Sequence, residues 1–297
     1  MMNNNGVLIL LLLIPLLSVS CYNYDEKPKP NNSTDWDVIV FTQRWPVTIC
    51  SQWMQVNANN SCFLPTDGNI WTVHGIWPTK SGTRGPWNCN TNRFNESLIK
   101  EIESDLKQRW VNIENNTKPL SFWEHEWQKH GTCAQVLPVL NTELKYFSKG
   151  LEWNHMFNIH KLLLSSSIIP SLSGYTIEKI YSSIRNVLNH NPIMQCVIDK
   201  HTKESLLSEI QLCFDRALNM MDCDSVKELF DQVVKVGSVL TDCSLKKVVV
   251  YPSNVLPTHP PDVVRSDVRA TIDDLLENRN YWITIYKTVK FLIWATI

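Results

Sequence analysis

Short apolar runs separated by polar breaks, rather than one long periodicity, set the pattern of this chain. At its start, Val7 to Leu17 (VLILLLLIPLL) form an unbroken apolar run followed by the small stretch Ser18-Val19-Ser20. That is the texture of an export leader, too short to cross a bilayer. Residues 1–21 therefore read as a signal peptide cut after Cys21, although MMNNN carries no Lys or Arg. Residues 22–35 are polar and rich in Pro and Asn, as in a linker. β-Branched and aromatic content then predicts strands at DVIVFTQRW (37–45) and at WTVHGIW around His74.

Next comes a helix that Asn95 can cap, with Leu98, Ile99, Ile102, Leu106 and Trp110 recurring at three- and four-residue spacing. A second helix starts at Ser121, where Ser121 and Glu124 form a capping box; it runs to about His130, with Gly131 as its stop. Helical patterns follow near 141–164 and 176–189, and strand-like ones near 193–199, 206–214 and 245–251. Helices and strands mixed without a βαβ rhythm give an α+β class. No internal repeat is visible.

Composition narrows the function. Lys+Arg 28 against Asp+Glu 29 leaves a net charge of −1, which excludes indiscriminate nucleic-acid binding by bulk charge but not a local basic site. With 43% hydrophobic residues and 12 Trp in 297, the chain is neither disordered nor of low complexity. Past Pro261 the texture changes, and the tail ends in the apolar Tyr281–Ile297, interrupted by Lys287 and Lys290. Two lysines near its centre are costly in a bilayer, so 254–297 read as a C-terminal extension with no stable membrane insertion expected.

Of nine cysteines, Cys21 is lost with the leader, and the eight that remain suit four disulfides in an exported chain. Eight cysteines allow about 105 pairings. No Cys-x-x-Cys occurs, which argues against a thiolate metal site. Glycosylation sequons at Asn31, Asn32, Asn59, Asn95 and Asn115 agree with export.

Three histidines stand in aromatic company: His74, His125 and His130. On a helix, Glu126 lies at i, i+4 from His130 and i, i+3 from Lys129, so one turn presents a carboxylate, an ammonium and an imidazole. His125 and His130 are five apart, about 140° around an α-helix, and should diverge. A zinc hydrolase needs H-E-x-x-H, and HEWQKH is one residue too long. Lys129 would also repel a divalent cation. Around His74, Gly75 allows close backbone approach and Trp77 supplies a flat ring. Two histidines that titrate near neutrality can serve as neutral base and protonated acid.

WTVHGIWP and FWEHEWQKHGTC, with Gln43-Arg44-Trp45-Pro46 upstream, resemble the landmark segments of the ribonuclease T2 family, secreted and lysosomal acid endoribonucleases. The resemblance runs from about Asp37 to Pro252 and is nearest to the animal branch. It implies a catalytic domain over 36–253 with a central antiparallel sheet, several helices packed around it, and disulfides Cys50–Cys62, Cys89–Cys133, Cys196–Cys243 and Cys213–Cys223. It implies cleavage of single-stranded RNA to 2′,3′-cyclic phosphate ends, with low base specificity and no cofactor or metal. His130 would act as base and His74 as acid, or the reverse; the sequence leaves this open. Lys129 would face the phosphoryl charge, Glu126 would orient its neighbours, and His125 would bind phosphate. Trp77, Phe122 and Gln43 resemble base-binding residues. Thr79 stands where many relatives carry Asp, which departs from any base preference built on that carboxylate. DNA, lacking the 2′-hydroxyl, should not be cut. A secreted or lysosomal, monomeric enzyme is expected; the rival is a secreted RNA-binding or signalling glycoprotein whose catalysis is incidental.

Overall fold

Alternating side chains divide the first strand, β1 (Val38–Arg44), between two apolar clusters: Ile39 and Phe41 join the main core, Val38 and Val40 a smaller one. The computed structural model describes residues 34–256 apart from 84, 230–233 and 238. The leader, the linker before residue 34, the sequons Asn31 and Asn32, and the extension from 257 onward lie outside the described residues.

The chain leaves β1 through Trp45 into α1 (Pro46–Val56), where Pro46 takes the first helical position. β2 (Thr72–Thr79) returns antiparallel to β1. A 3₁₀ stretch, Glu96–Ile102, capped by Asn95 Oδ1 on the Ser97 amide, leads into α2 (Glu103–Arg109). Then α3 (Ser121–Glu126), a π-helical turn at Trp127–Gly131 and α4 (Thr132–Ala134) run as one piece. The helical pattern at 141–164 is two helices, α5 (Glu143–Met156) and α6 (Ile159–Leu164), because Asn158 caps a new start on the Lys161 amide. β3 (Ser171–Tyr175) and α7 (Ile177–Leu188) come next. The chain ends through β4 (Ile193–Ile198), β5 (Ser205–Asp215), β6 (Met220–Met221), a 3₁₀ stretch at Cys223–Leu229, β7 (Val234–Val236), β8 (Val239–Thr241) and β9 (Val249–Tyr251).

The class is α+β. The sheet orders β2-β1-β5-β4-β8-β7, with β6 and β9 also on β5 and β3 on β9. Its centre is antiparallel as expected, while β4–β8 and β5–β9 pair in parallel, making the whole sheet mixed. Four disulfides brace it, joining Cys50–Cys62, Cys89–Cys133, Cys196–Cys243 and Cys213–Cys223. Tryptophans dominate the core, and Trp153 of α5 stacks on Phe214 of β5 at 4.1 Å.

Two irregularities turn side chains that a regular strand and helix would keep apart toward one cleft. Along β1 and β2, Thr42 faces Gly75 but Gln43 faces Val73, so His74 is an extra residue in the ladder, a β-bulge. His74 and Trp77 are three apart and would face opposite sides of a regular strand. The bulge lets both line one cleft and sends Val73 into the main core with Ile76. Trp110 Nε1 donates to the His74 carbonyl at 2.9 Å and anchors the bulge.

The second irregularity is the π turn. The Thr132 amide reaches back five residues to the Trp127 carbonyl. A turn this wide brings positions i and i+5 together, and the His125 and His130 rings lie 6.5 Å apart instead of diverging. Gly131 does not stop the helix. A Cβ there would lie 2.2 Å from the Trp127 ring, so glycine is needed for packing inside a continuing helix. The capping box at Ser121 also does not form. The Ser121 amide bonds the Lys118 carbonyl in a tight turn, Leu120 takes a left-handed conformation as N-cap, and no side chain caps the helix.

A Cβ on Gly75 would lie 2.1 Å from both Glu126 Oε2 and Trp77 Nε1. Gly75→Ala should therefore lower stability by about 1–3 kcal/mol in urea melts; an unchanged midpoint would contradict this packing. Removing Cys89–Cys133 by paired alanines should cost about 2–4 kcal/mol by the same measurement.

Candidate active site

A cleft of about 270 Å³ opens over Val40 on β1 and is lined by His74, Trp77, Pro78 and Thr79 from β2. Pro86 and Trp87 close one side, and His125, Glu126, Lys129 and His130 the other. The loop after β2 is clamped onto the π turn. Asn88 N donates to the Lys129 carbonyl, Cys89 N to Thr132 Oγ1, and Cys89 is bonded to Cys133.

His74 is held from behind: its Nδ1 lies 2.6 Å from Glu209 Oε1 on β5. Its Nε2 lies 3.9 Å from Glu126 Oε1. Glu126 is 1% exposed, and its Oε2 accepts from Trp77 Nε1 at 3.0 Å. Burial pushes the Glu126 carboxyl above the usual carboxylate range, against the opposing pull of His74, the Trp77 hydrogen bond, Arg44 and Lys129.

The Trp77 ring sits between the two imidazoles, edge-on to His74 at 4.9 Å and tilted over His130 at 5.4 Å. Burial, then the neighbouring Lys129, His125 and His74, hold His130 well below the ordinary value of 6.5. Its Nδ1 has no hydrogen-bond partner among the described residues. His125 is also lowered, by burial and then by Lys129 and His74. The cleft thus holds one imidazole kept neutral into mild acid, a second backed by a carboxylate, and an ammonium beside them. That set can take a proton, give a proton and stabilise an anion.

Five residues singled out in the sequence, His74, His125, Glu126, Lys129 and His130, meet in this cleft, and Trp77 joins them. Phe122 does not. It lies 5.9 Å from the His74 ring but lines a neighbouring groove of about 530 Å³ with Val111, Leu120 and Trp123, under the Arg44 guanidinium. Gln43 is a correction. Strand alternation turns it to the opposite face of β1, where it is 1% exposed, donates to the Phe157 carbonyl and accepts from Asn154. It is a core residue, unable to meet a base in the cleft. Of the described sequons, Asn59 and Asn95 are exposed, while Asn115 is half-buried with its Nδ2 on Ser61 Oγ.

Sequence reasoning passed over Trp87 and Glu209. Trp87 had no helical or strand pattern to mark it. Glu209 carried a signal, a carboxylate in the middle of the buried run SLLSEIQLCFD.

Residues 36–223 match the Ribonuclease T2 family. Ribonuclease Oy of Magallana gigas is 36% identical over 222 residues, 73% of this chain and 97% of that protein. Ribonuclease T2 of Danio rerio is 36% identical over 196 residues, covering 65% and 75%. Among solved structures, human RNase T2 superposes with a TM-score of 0.58 at 28% identity, over 73% of this chain and 99% of that one. RNase NT in complex with 5′-AMP gives 0.58 at 27% identity, over 73% and 98%. With this fold and this cleft, the chain belongs to the Ribonuclease T2 family and is an endoribonuclease of the T2 type.

Proposed function

We propose that this endoribonuclease cuts single-stranded RNA by transesterification, leaving 2′,3′-cyclic phosphate ends. The observation that carries the reading is the unequal pair of imidazoles in one cleft, one held neutral by burial and cations, the other backed by a carboxylate. His130, through Nε2 because Nδ1 is buried, takes the proton of the ribose 2′-hydroxyl as that oxygen attacks phosphorus. His74 Nε2 gives a proton to the 5′-oxygen as its bond to phosphorus breaks. Lys129 opposes the charge that builds on the phosphoryl oxygens, and His125 at the rim binds the phosphate. Glu126 keeps Trp77 and His74 in place. The nucleophile belongs to the substrate, so no step requires a metal or cofactor.

Flat rings at Trp77 and Trp87 can stack on any base, which supports low base specificity. RNase NT binds 5′-AMP, and the relative from Solanum lycopersicum is an extracellular ribonuclease; both support an exported enzyme that handles nucleotides. The leader, the sequons and the four disulfides point to the same secreted or lysosomal setting. Among the described residues no helix is long and apolar enough to cross a membrane.

Incubation with RNA and the matching DNA, with and without chelator, should yield cyclic ends from RNA alone, equally in both conditions. Chelator-sensitive cleavage, or cleavage of DNA, would overturn the scheme. Replacing either His130 or His74 with Ala should lower kcat by about 10²–10⁴-fold. The base works deprotonated, and His130 is held well below 6.5, so the acid limb of kcat/KM should fall below pH 6.5. An acid limb above 6.5 would contradict the assignment of His130 as base.

A further inference from the structure

We propose that Glu209 is the positioning residue of the proton-donating histidine. Its carboxylate accepts the Nδ1 proton of His74 and so fixes the ring orientation that presents Nε2 to the departing 5′-oxygen. The proposal rests on the reading of His74 as general acid.

Sheet register brings the pair together across 135 residues of sequence. Glu209 lies directly opposite Arg44 on β1, and the bulge turns His74 to the same side of the sheet. The contact is 2.6 Å, and the Glu209 side chain is 13% exposed. A carboxylate this far out of water is costly unless paired. Arg44, its cross-strand neighbour, attracts the Glu209 carboxylate electrostatically but does not contact it: the guanidinium donates to the Val111 carbonyl and covers Phe122. Among the described residues, the imidazole of His74 is the side chain in hydrogen-bond contact with the Glu209 carboxylate.

The chemistry of the step needs this arrangement. When the P–O5′ bond breaks, its electron pair goes to the 5′-oxygen, which takes the Nε2 proton of the imidazolium. The neutral ring left behind keeps its Nδ1 proton, still bonded to Glu209, and cannot drift to the tautomer that would leave Nε2 protonated and unable to accept a proton again. Other charged groups facing His74 do not duplicate the role. Glu126 lies on the Nε2 side at 3.9 Å, and Lys129, His125 and His130 approach from the helix.

The test is Glu209→Gln, which keeps shape and one acceptor oxygen but removes the charge. Kinetics would be measured on a dinucleoside phosphate and on uridine 3′-(4-nitrophenyl phosphate), whose leaving group departs without a proton. With the dinucleotide, kcat should fall by about 10–100-fold with KM little changed; with the aryl ester the loss should largely disappear. Equal losses on both substrates, or an effect on KM alone, would overturn the proposal. His74→Ala measured on the same pair separates the two readings. If it too loses equally on both, the acid assignment itself fails, whereas a selective loss there beside equal losses in Glu209→Gln rejects only the role of Glu209. Proton NMR gives a readout independent of rate. The His74 Nδ1 proton should resonate downfield in the native enzyme and move upfield in Glu209→Gln, and an unmoved signal would count against the contact.

Discussion

One extra residue in each of two elements governs the active site. A strand alternates its side chains, so His74 and Trp77 could not share a face of a regular β2. An α-helix turns about 100° per residue, so His125 and His130 could not share a face of a regular α3. The bulge at His74 and the π turn at Trp127–Gly131 break both periods at positions that line the cleft. Both irregularities are held by their surroundings. Trp110 fixes the carbonyl of the bulge, and the loop at Asn88 and Cys89 clamps the π turn by two hydrogen bonds and a disulfide.

The two elements then meet at a single buried carboxylate. Glu126 reaches from α3 to the Trp77 indole on β2, and Gly75 is small because nothing larger fits beneath that hydrogen bond. This junction sets the electrostatics. The same burial that raises the Glu126 carboxyl depresses His130, and Lys129 adds to the effect on the histidine while opposing it on the carboxylate. His74 stands apart because β5 delivers a second carboxylate from behind. Two imidazoles in one cleft thereby sit in different electrostatic surroundings.

Legibility in the sequence tracks the range of the interaction. The strands at 37–45 and 206–214, the Asn95 cap and the helix at 176–189 depend on neighbours a few residues away, and their spacing shows it. Helix α1 escapes the pattern because it starts directly at the end of a strand, and β6 to β8 because two or three residues carry no period. Motif resemblance collects the residues that line the cleft, yet misassigns Gln43, whose neighbour in sequence faces the opposite side of the sheet. Glu209 is invisible for a related reason: only the register of β1 and β5 brings it to His74. The capping box at Ser121 illustrates the converse, a local pattern overridden by the turn at Lys118 that precedes it.

In the proposed reaction His130 faces the nucleophile and His74 the leaving group. A crystal structure with an uncleavable 2′-deoxy dinucleoside phosphate tests it most directly. The 5′-oxygen should lie within about 3.2 Å of His74 Nε2, with the C2′ carbon turned toward His130. The reverse orientation, with the 5′-oxygen against His130, would contradict it.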